Sequence, residues 1–253
     1  MKIGGSTLGA HDTTLEDLVS LSKRGLVPVV VHGGGKVITE WMERQGTMPR
    51  FVRGLRVTDE RSMEVVVAVL AGLVNKGLVA TLTAMGARAV GISGADGGLL
   101  KATQKDPELG LVGEVTHVDP EPILGLMKEG YMPVVAPVAI WDSPGPQGAG
   151  SLLNINGDTA AAELAAALSV EKLVFLTDVE GVLDSSRRLI PRLTVAQARS
   201  LVEGGGVSGG MIPKLEACLR ASRTGARCFV LDGRRPKALL DCIDGNPVGT
   251  MIS

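Results

Sequence analysis

The stretch LVPVVVHGGG at residues 26–35 indicates the fold class. Its apolar, β-branched part, residues 26–32, is typical of a strand buried in a parallel sheet. Three glycines follow, and apolar side chains then recur at helical spacing over residues 36–45. A strand, a glycine turn and a helix in this order are typical of a βαβ unit, so we predict a parallel sheet.

The same alternation continues along the chain. Apolar runs predict further strands at residues 89–92, 132–138, 172–177 and 227–231. Helical patterns lie between them, at residues 60–85, 120–129, 159–168, 194–203 and 214–224. We therefore predict an α/β fold with a mostly parallel sheet and helices on both faces. The segment 139–150 is rich in Pro and Gly and predicts an exposed hairpin or loop.

Composition excludes several classes of protein. The 253 residues are 45% hydrophobic and 21% charged, which is typical of a globular chain of one large domain or two lobes. No apolar run approaches the ~18 residues of a membrane span. A net charge of −1 and only 2% aromatic residues argue against a nucleic-acid partner. The first residues resemble no export signal, so we predict a cytoplasmic protein.

The cysteines and histidines form no metal or catalytic pattern. Cys218, Cys228 and Cys242 lack CxxC spacing and are interpreted as buried thiols. No histidine has a partner at a metal-ligand spacing. We predict that His32 anchors the glycine turn, and that the other two histidines, His11 and His117, lie at the surface.

Two glycine clusters follow predicted strands. Gly33 to Gly35 would place backbone N–H groups at a helix N-terminus, where carboxylates and phosphates bind, although a tight turn without a ligand explains the pattern equally well. Gly4 and Gly5 follow the first strand. Neither cluster matches a Walker loop or a dinucleotide fingerprint.

The run NINGDT at residues 154–159 opens an alanine-rich helix. Either Asn156 or Asp158 can cap that helix. Since capping needs one polar residue and this run has three amide or acid side chains, we favour a binding role as well.

Two segments in the last third of the chain are candidate ligand loops. LTDVEGVL at residues 176–183 ends a buried strand in a polar turn, at the end of the sheet where ligands bind, unless it is a simple strand-to-loop transition. GGGVSGG at residues 204–210 holds five glycines just before a predicted helix. It is typical either of a loop that covers a nucleotide or of a disordered connection.

Together these motifs resemble the amino acid kinase family, and within it the acetylglutamate kinases. The motifs are KIGGS at 2–6, HGGG at 32–35, GLRVTD at 54–59, NINGDTAA at 154–161, LTDVEGVL at 176–183, GGMIPKL at 209–215 and NPVGT at 246–250. The resemblance implies a three-layer αβα sandwich. It also implies an N-terminal lobe, residues 1–168, for acetylglutamate and dimerisation, and a C-terminal lobe, residues 169–253, for ATP.

Site roles follow from the resemblance motif by motif. Lys2 and Lys214 would flank the transferring phosphoryl group, and Asp158 would hold both ammonium groups. The substrate would contact Gly34, Gly35, Arg56, Asn154 and Asn156. ATP would lie against Gly4, Gly5, Asp178, Val179, Gly181, Val182, Leu183, Gly206, Val207 and Ser208. Mg²⁺ would be held mainly by phosphate oxygens rather than by a protein ligand set.

The implied reaction is the transfer of phosphate from ATP to the side-chain carboxylate of N-acetyl-L-glutamate, a step in arginine biosynthesis. A carboxylate with a pKa near ~4.3 is ionised at neutral pH, so the reaction needs no general base. Positive charge and N–H donors are the main requirement, because two anions must approach each other.

The sequence departs from the family pattern at the first strand and at Gly157. Only Met1 precedes Lys2, so the first strand is clipped, and Gly157 stands where the family has alanine. Without the N-terminal helix of arginine-inhibited relatives, we expect a homodimer that is insensitive to arginine. It would pair through an apolar helical stripe of Met63, Val66, Val67, Leu70 and Val74, although core packing explains that stripe as well.

Two alternatives stay open. A kinase of the same fold could act on carrier-protein-bound aminoadipate or glutamate, although the GLRVTD segment favours the free acetylated substrate. Ser93 in GISGAD also occurs in the carrier-dependent group, so this segment does not decide between the two substrates. A non-catalytic amino-acid-binding module could keep the glycine turns but has no need for Lys2, Asp158 and Lys214 together. Carbamate, aspartate and uridylate kinases share the fold and fit Arg56 and the NINGD run less well.

Overall fold

A computed structural model describes residues 1–4, 13–142 and 150–253. Its contacts divide the chain into two compact units. The middle unit is Val29–Ala160, and the terminal unit combines Met1–Pro28 with Ala161–Ser253.

Within its described residues, the middle unit contains nine strands, four complete α-helices, the start of a fifth and one π-helical segment. Its strands are β2 (Val30–His32), β3 (Phe51–Val52), β4 (Leu55–Arg56), β5 (Ala89–Ser93), β6 (Leu100–Gln104), β7 (Val112–Val118), β8 (Met132–Ala136), β9 (Val138–Trp141) and β10 (Leu152–Ile155). Its helices are α2 (Gly35–Arg44), α3 (Glu60–Val67), α4 (Asn75–Ala84), α5 (Glu121–Lys128) and the start of α6 (Gly157–Ala167), with a π-helical segment, Ala68–Val74, joining α3 to α4.

Strands β2, β8 and β5 form a parallel sheet in the middle unit. All five residues of β8 are buried. Since successive side chains of a strand point to opposite faces, burial of every residue means that both faces are covered. The predicted strands at 26–32, 89–92 and 132–138 are confirmed, with β2 shorter than predicted because it begins at Val30.

Four further strands, β10, β7, β6 and β9, close into a small barrel, and β3 pairs with β4 as a hairpin. Neither feature was predicted from the sequence. Residues 139–141 belong to β9, which pairs antiparallel with β10, so of the two forms predicted for the segment 139–150 the structure has the hairpin. Residues 143–149 lie outside the described part of the chain.

One continuous helix runs from Glu60 to Ala84. By length and composition alone it could cross a membrane, with a mean hydropathy of 2.0 over its most apolar window. The helix lies mid-chain and packs against β5 and β8 of its own unit. Of the predicted dimerisation stripe, Met63, Val66 and Leu70 are buried within the chain itself. Those three residues are core, and their assignment to a dimer contact was wrong.

In the terminal unit the hydrogen-bonded strands follow the order β12-β14-β13-β11-β1. Its strands are β1 (Lys2–Ile3), β11 (Lys172–Thr177), β12 (Arg192–Leu193), β13 (Arg227–Asp232) and β14 (Thr250–Ile252). Its helices are α1 (Thr14–Lys23), the rest of α6, α7 (Val195–Glu203), α8 (Met211–Ala221) and α9 (Ala238–Asp244). The strands β1, β11 and β13 are parallel, whereas β14 runs antiparallel to β13. The α/β fold with a mostly parallel sheet is confirmed.

The compact units differ from the lobes predicted from sequence in two respects. Residues 161–168 belong to the terminal unit rather than to the N-terminal lobe. The first 28 residues belong with the C-terminal segment, because β1 pairs with β11 and α1 packs on α9. The assignment of acetylglutamate to residues 1–168 and of ATP to residues 169–253 stays a prediction.

Candidate active site

Hydrogen bonds to its carbonyl groups hold the glycine turn after β2, residues 33–35, in place. The Nδ1–H of His32 donates to the carbonyl oxygen of Gly33 at 2.9 Å. The carbonyl of Gly34 accepts from the amide of Ile38, and that of Gly35 accepts from Nη2 of Arg56 at 2.8 Å. In the described part of the chain, the amides of these three glycines donate to no protein acceptor. The turn therefore directs its carbonyls into the protein and leaves N–H groups for an anion.

Gly34 packs closely against the helix behind the turn. A Cβ atom there would lie 2.5 Å from Cδ2 of Leu70, on the π-helical segment. At Gly35 a Cβ would meet nothing within 4 Å. The turn is thus supported from behind at Gly34 and open at Gly35, where a ligand can approach.

Arg56 is a buried cation, 8% exposed, at the end of β4. Its guanidinium donates to Gly35, to Oγ1 of Thr39 and to the sulfur of Met42, and lies 4.8 Å from the ring centroid of Phe51. Burial lowers the pKa of this group. Within residues 13–142 and 150–253 every acceptor of Arg56 is uncharged. A buried guanidinium is stabilised by an anionic partner, and a carboxylate fits its planar fork.

Asn154 is linked to Arg56 through one hydroxyl group. Its Nδ2 donates to Oγ1 of Thr58 at 3.1 Å, and that hydroxyl donates to the carbonyl of Arg56. Thr58 is fully buried and Asn154 is half-buried, so the hydroxyl group that links Asn154 to Arg56 is shielded from water. The structure therefore brings together three predicted substrate contacts: the glycine turn, Arg56 and Asn154.

The NINGD run, residues 154–158, lies at the C-terminal end of the same unit. Oδ1 of Asn156 accepts from the amides of Asp158 and Thr159, so Asn156 is the N-cap of α6, one of the two possibilities that the sequence left open. Asp158, 4% exposed, lies in the first turn of α6, where the positive end of the helix dipole favours a carboxylate. The binding roles of both residues stay predictions.

In the terminal unit, the carboxyl ends of three parallel strands meet at one edge of the sheet. Lys2, 8% exposed, pairs in register with Phe175. The amide of Gly4 donates to the carbonyl of Leu176, so the ladder continues one residue beyond β1. A phosphate at Gly4 would have to share that amide. Gly5 lies outside the described residues.

The turn after β11 presents both exposed and buried parts. Asp178 and Val179 are exposed, whereas Gly181 and Val182 are buried and Leu183 is half-buried. The amide of Val182 donates to Oγ1 of Thr250 at 2.8 Å, and its carbonyl accepts from Ile190. The backbone polar groups of Val182 are therefore already paired and its side chain is fully buried, whereas Asp178 and Val179 are exposed to a ligand. A nucleotide contact at Val182 stays a prediction.

The glycine-rich segment before α8 ends one helix and begins the next. The amide of Gly206 donates to the carbonyl of Leu201 and closes α7, while Ser208 is exposed and Val207 half-buried. Because α8 joins β13 through a short turn and packs against it, its N-terminal turn lies toward the carboxyl edge of the sheet. Lys214 lies in that turn, and its Nζ donates to the carbonyl of Gly210 at 3.2 Å.

Three groups near these residues were not predicted. They are Asn75, which donates to Nε2 of His32; Thr58, which links Asn154 to Arg56; and Thr250, which holds the turn after β11. Thr58 and Thr250 do lie within quoted motifs, GLRVTD and NPVGT. Asn75 had one sequence signal, a polar residue within a long apolar helix. The prediction that His32 anchors the glycine turn is confirmed.

The sequence of this chain is similar to those of known proteins. The model of the amino acid kinase family matches residues 1–232. Proteins named acetylglutamate kinase from Dehalococcoides mccartyi and from a Synechococcus species are 42% and 46% identical, each over the whole of this chain and over 93% and 86% of their own length.

Solved structures are similar to this chain as well. A crystal structure of a Streptococcus mutans protein superposes with a TM-score of 0.83 at 28% identity, covering 100% of this chain and 96% of that one. An N-acetylglutamate synthase from Neisseria gonorrhoeae, solved with coenzyme A and N-acetyl-glutamate, gives 0.82 at 25% identity, covering 100% of this chain and 58% of that one. The chain belongs to the amino acid kinase family.

Proposed function

We propose that this protein transfers the γ-phosphoryl group of MgATP to the side-chain carboxylate of N-acetyl-L-glutamate, producing N-acetyl-L-glutamyl 5-phosphate for arginine biosynthesis. The observation that carries the proposal is the buried guanidinium of Arg56, whose described acceptors are all uncharged, beside Asn154 and the glycine turn. This set fits an amino acid whose amine is acetylated, because it offers donors to carboxylates and no acidic group to an ammonium ion.

The chemistry fits the residues of each unit. A carboxylate oxygen of the acceptor forms a bond to the γ-phosphorus, and the bond from that phosphorus to the bridging oxygen breaks, releasing ADP. No proton moves, because the acceptor is already ionised at neutral pH. Lys2 and Lys214 offset the negative charge of the transferring group, and the amide of Gly34 donates to it. We propose a catalytic role for Asp158 as well.

The donor set of the terminal unit fits a polyphosphate. It combines ammonium groups with backbone amides beside an exposed polar turn, and nucleotide binding there is proposed for Asp178, Val179, Gly181, Leu183, Val207 and Ser208. When bound, Mg²⁺ neutralises phosphate charge. Within residues 1–4, 13–142 and 150–253 there is no group of three His, Cys, Asp or Glu side chains that could hold a metal. We therefore propose that phosphate oxygens are its main ligands.

The carrier-dependent alternative gains no support from Ser93. Its hydroxyl and its amide both bind Oδ2 of Asp96, at 2.8 and 2.6 Å. The serine is thus explained by the turn that ends β5, without a carrier protein.

An ADP-coupled assay with MgATP and free acidic amino acids tests the proposal. We expect turnover with N-acetyl-L-glutamate at least ~10²-fold above that with L-glutamate, aspartate or N-acetyl-aspartate, since a missing contact in a polar site costs a large factor in kcat/KM. Turnover only with a carrier-bound substrate would replace the proposal, and the absence of ATP binding by calorimetry would favour a non-catalytic module.

We further propose a cytoplasmic homodimer that uses the exposed side of the helix Glu60–Ala84. Leu73 on this helix is 50% exposed, and β5, at the end of the parallel sheet, has half-buried side chains from Ala89 to Ile92. An apolar helix side beside an unpaired strand edge is a typical self-association surface.

Replacing Leu73 by Glu should convert a dimer into a monomer in sedimentation velocity runs, because it buries a charge in the interface. Leu124→Glu, at a residue 44% exposed on α5, is the matched control and should leave the dimer intact. A wild-type monomer at micromolar concentration would rule out the dimer.

A further inference from the structure

A buried network links the glycine turn to the helix behind it. His32 is fully buried, its Nδ1–H donates to the carbonyl of Gly33, and its Nε2 accepts from Nδ2 of Asn75 at 3.1 Å. These two bonds define the tautomer, with the proton on Nδ1. Burial, with a smaller contribution from the charge of Lys76, lowers the pKa of His32, so the ring is neutral at pH 7.

Asn75 connects all three strands of the parallel sheet in the middle unit. Besides His32 of β2, its Nδ2 donates to the carbonyl of Val134 in β8 at 2.9 Å and lies 3.3 Å from that of Ile92 in β5. Its Oδ1 accepts from Nζ of Lys76. Asn75 is fully buried and is the first residue after the π-helical segment. Such segments inside α-helices are frequent at functional sites.

The bond from His32 determines the direction of one particular amide. The carbonyl of Gly33 and the N–H of Gly34 belong to the same planar trans peptide and point in opposite directions. Holding that carbonyl toward the protein therefore aims the Gly34 N–H away from the core. Glycine resists rotation of this peptide plane less than any other residue does. A specific anchor is needed to keep the donor in one orientation.

We propose that His32 and Asn75 are positioning residues for phosphoryl transfer, which hold the peptide between Gly33 and Gly34 so that the Gly34 amide donates to the reacting groups. This inference rests on the proposed function. Asn75 fixes the tautomer of His32, His32 fixes the carbonyl of Gly33, and neither side chain touches the substrate.

Two conservative variants separate this role from simple core packing. In His32→Asn the side-chain NH₂ replaces Nδ1–H and can still donate to Gly33, but the contact with Asn75 is lost. In His32→Gln the side-chain oxygen replaces Nε2 and can still accept from Asn75, but the contact with Gly33 is lost. Each variant removes one buried hydrogen bond and part of the ring, so the two should lose similar amounts of thermal stability.

We expect kcat for N-acetyl-L-glutamate to fall about ten-fold or more in His32→Gln and to stay within about three-fold in His32→Asn, with KM for ATP unchanged in both. Losing a preorganised donor outright costs ~10²–10³ in kcat, and the unanchored peptide still samples the productive orientation. Equal losses of kcat in the two variants, or a larger loss in His32→Asn, would overturn the proposal.

Nitrogen-15 NMR of the imidazole rings in wild-type protein keeps this test independent of the proposed function. The His32→Asn variant identifies the His32 signals by their loss. A neutral ring with its proton on Nδ1, at pH 7, supports the anchored peptide even if no acidic amino acid is phosphorylated. A proton on Nε2 of His32, or a charged ring, would contradict the anchored peptide, whichever substrate the enzyme phosphorylates.

Discussion

Replacing Lys214 by alanine should lower kcat by ~10²–10³ while the fold persists, and Lys2→Ala should do the same. Each ammonium group is proposed to offset charge that develops on the transferring phosphoryl group, so its loss acts on the transition state more than on substrate binding. Steady-state kinetics of both variants, with circular dichroism to confirm folding, make the measurement.

Two further variants control for charge and for position. Lys214→Arg keeps a cation with a different shape and should recover part of the lost kcat. Lys23→Ala removes an exposed lysine in the last turn of α1 and should leave kcat unchanged. Full turnover by purified Lys214→Ala would remove that lysine from the mechanism.

Replacing Arg56 by alanine should raise KM for N-acetyl-L-glutamate by ~10²-fold and leave KM for ATP within two-fold. The expected size corresponds to a charge-assisted bidentate contact in a buried site, worth about 2–3 kcal/mol. Arg56→Lys keeps the charge and loses the planar fork, so we expect an intermediate KM. Initial rates measured against both substrates separate the effects.

Arg53→Ala is the matched control in the same hairpin segment. Arg53 is exposed and pairs with Asp106 and Glu108 at 3.5 and 3.6 Å, so its loss should change neither KM by more than two-fold. If Arg56→Ala raised both KM values equally, a general disturbance of the site would explain it better than a lost carboxylate contact.

The sequence predicted most of what depends on neighbouring residues. The strand at 172–177 and the helix after the glycine turn were identified because an apolar period is a local property of the chain. Asn156 was one of two possible helix caps, and the structure selects it over Asp158. The motifs also identified the residues that lie beside the glycine turn, Arg56 and Asn154.

Contacts between distant residues could not be predicted in the same way. The stripe of Met63, Val66 and Leu70 has helical spacing, which shows that one side is covered but not whether the cover is the chain itself or a second copy. The small barrel was missed because its strands pair across long separations, as β7 and β10 do. Short strands also carry weak periodicity.

The sequence by itself determined the class of fold, the alternation of its main parallel strands with helices, and the residue types that chemistry between two anions requires. Tertiary structure alone decided that the first 28 residues join the C-terminal segment, since pairing of β1 with β11 depends on hydrogen bonds between distant residues. It also decided that the Gly33 carbonyl binds His32 and that Asn75 fixes that ring. The direction of a peptide plane depends on which donors surround it, and no spacing within the sequence contains that information.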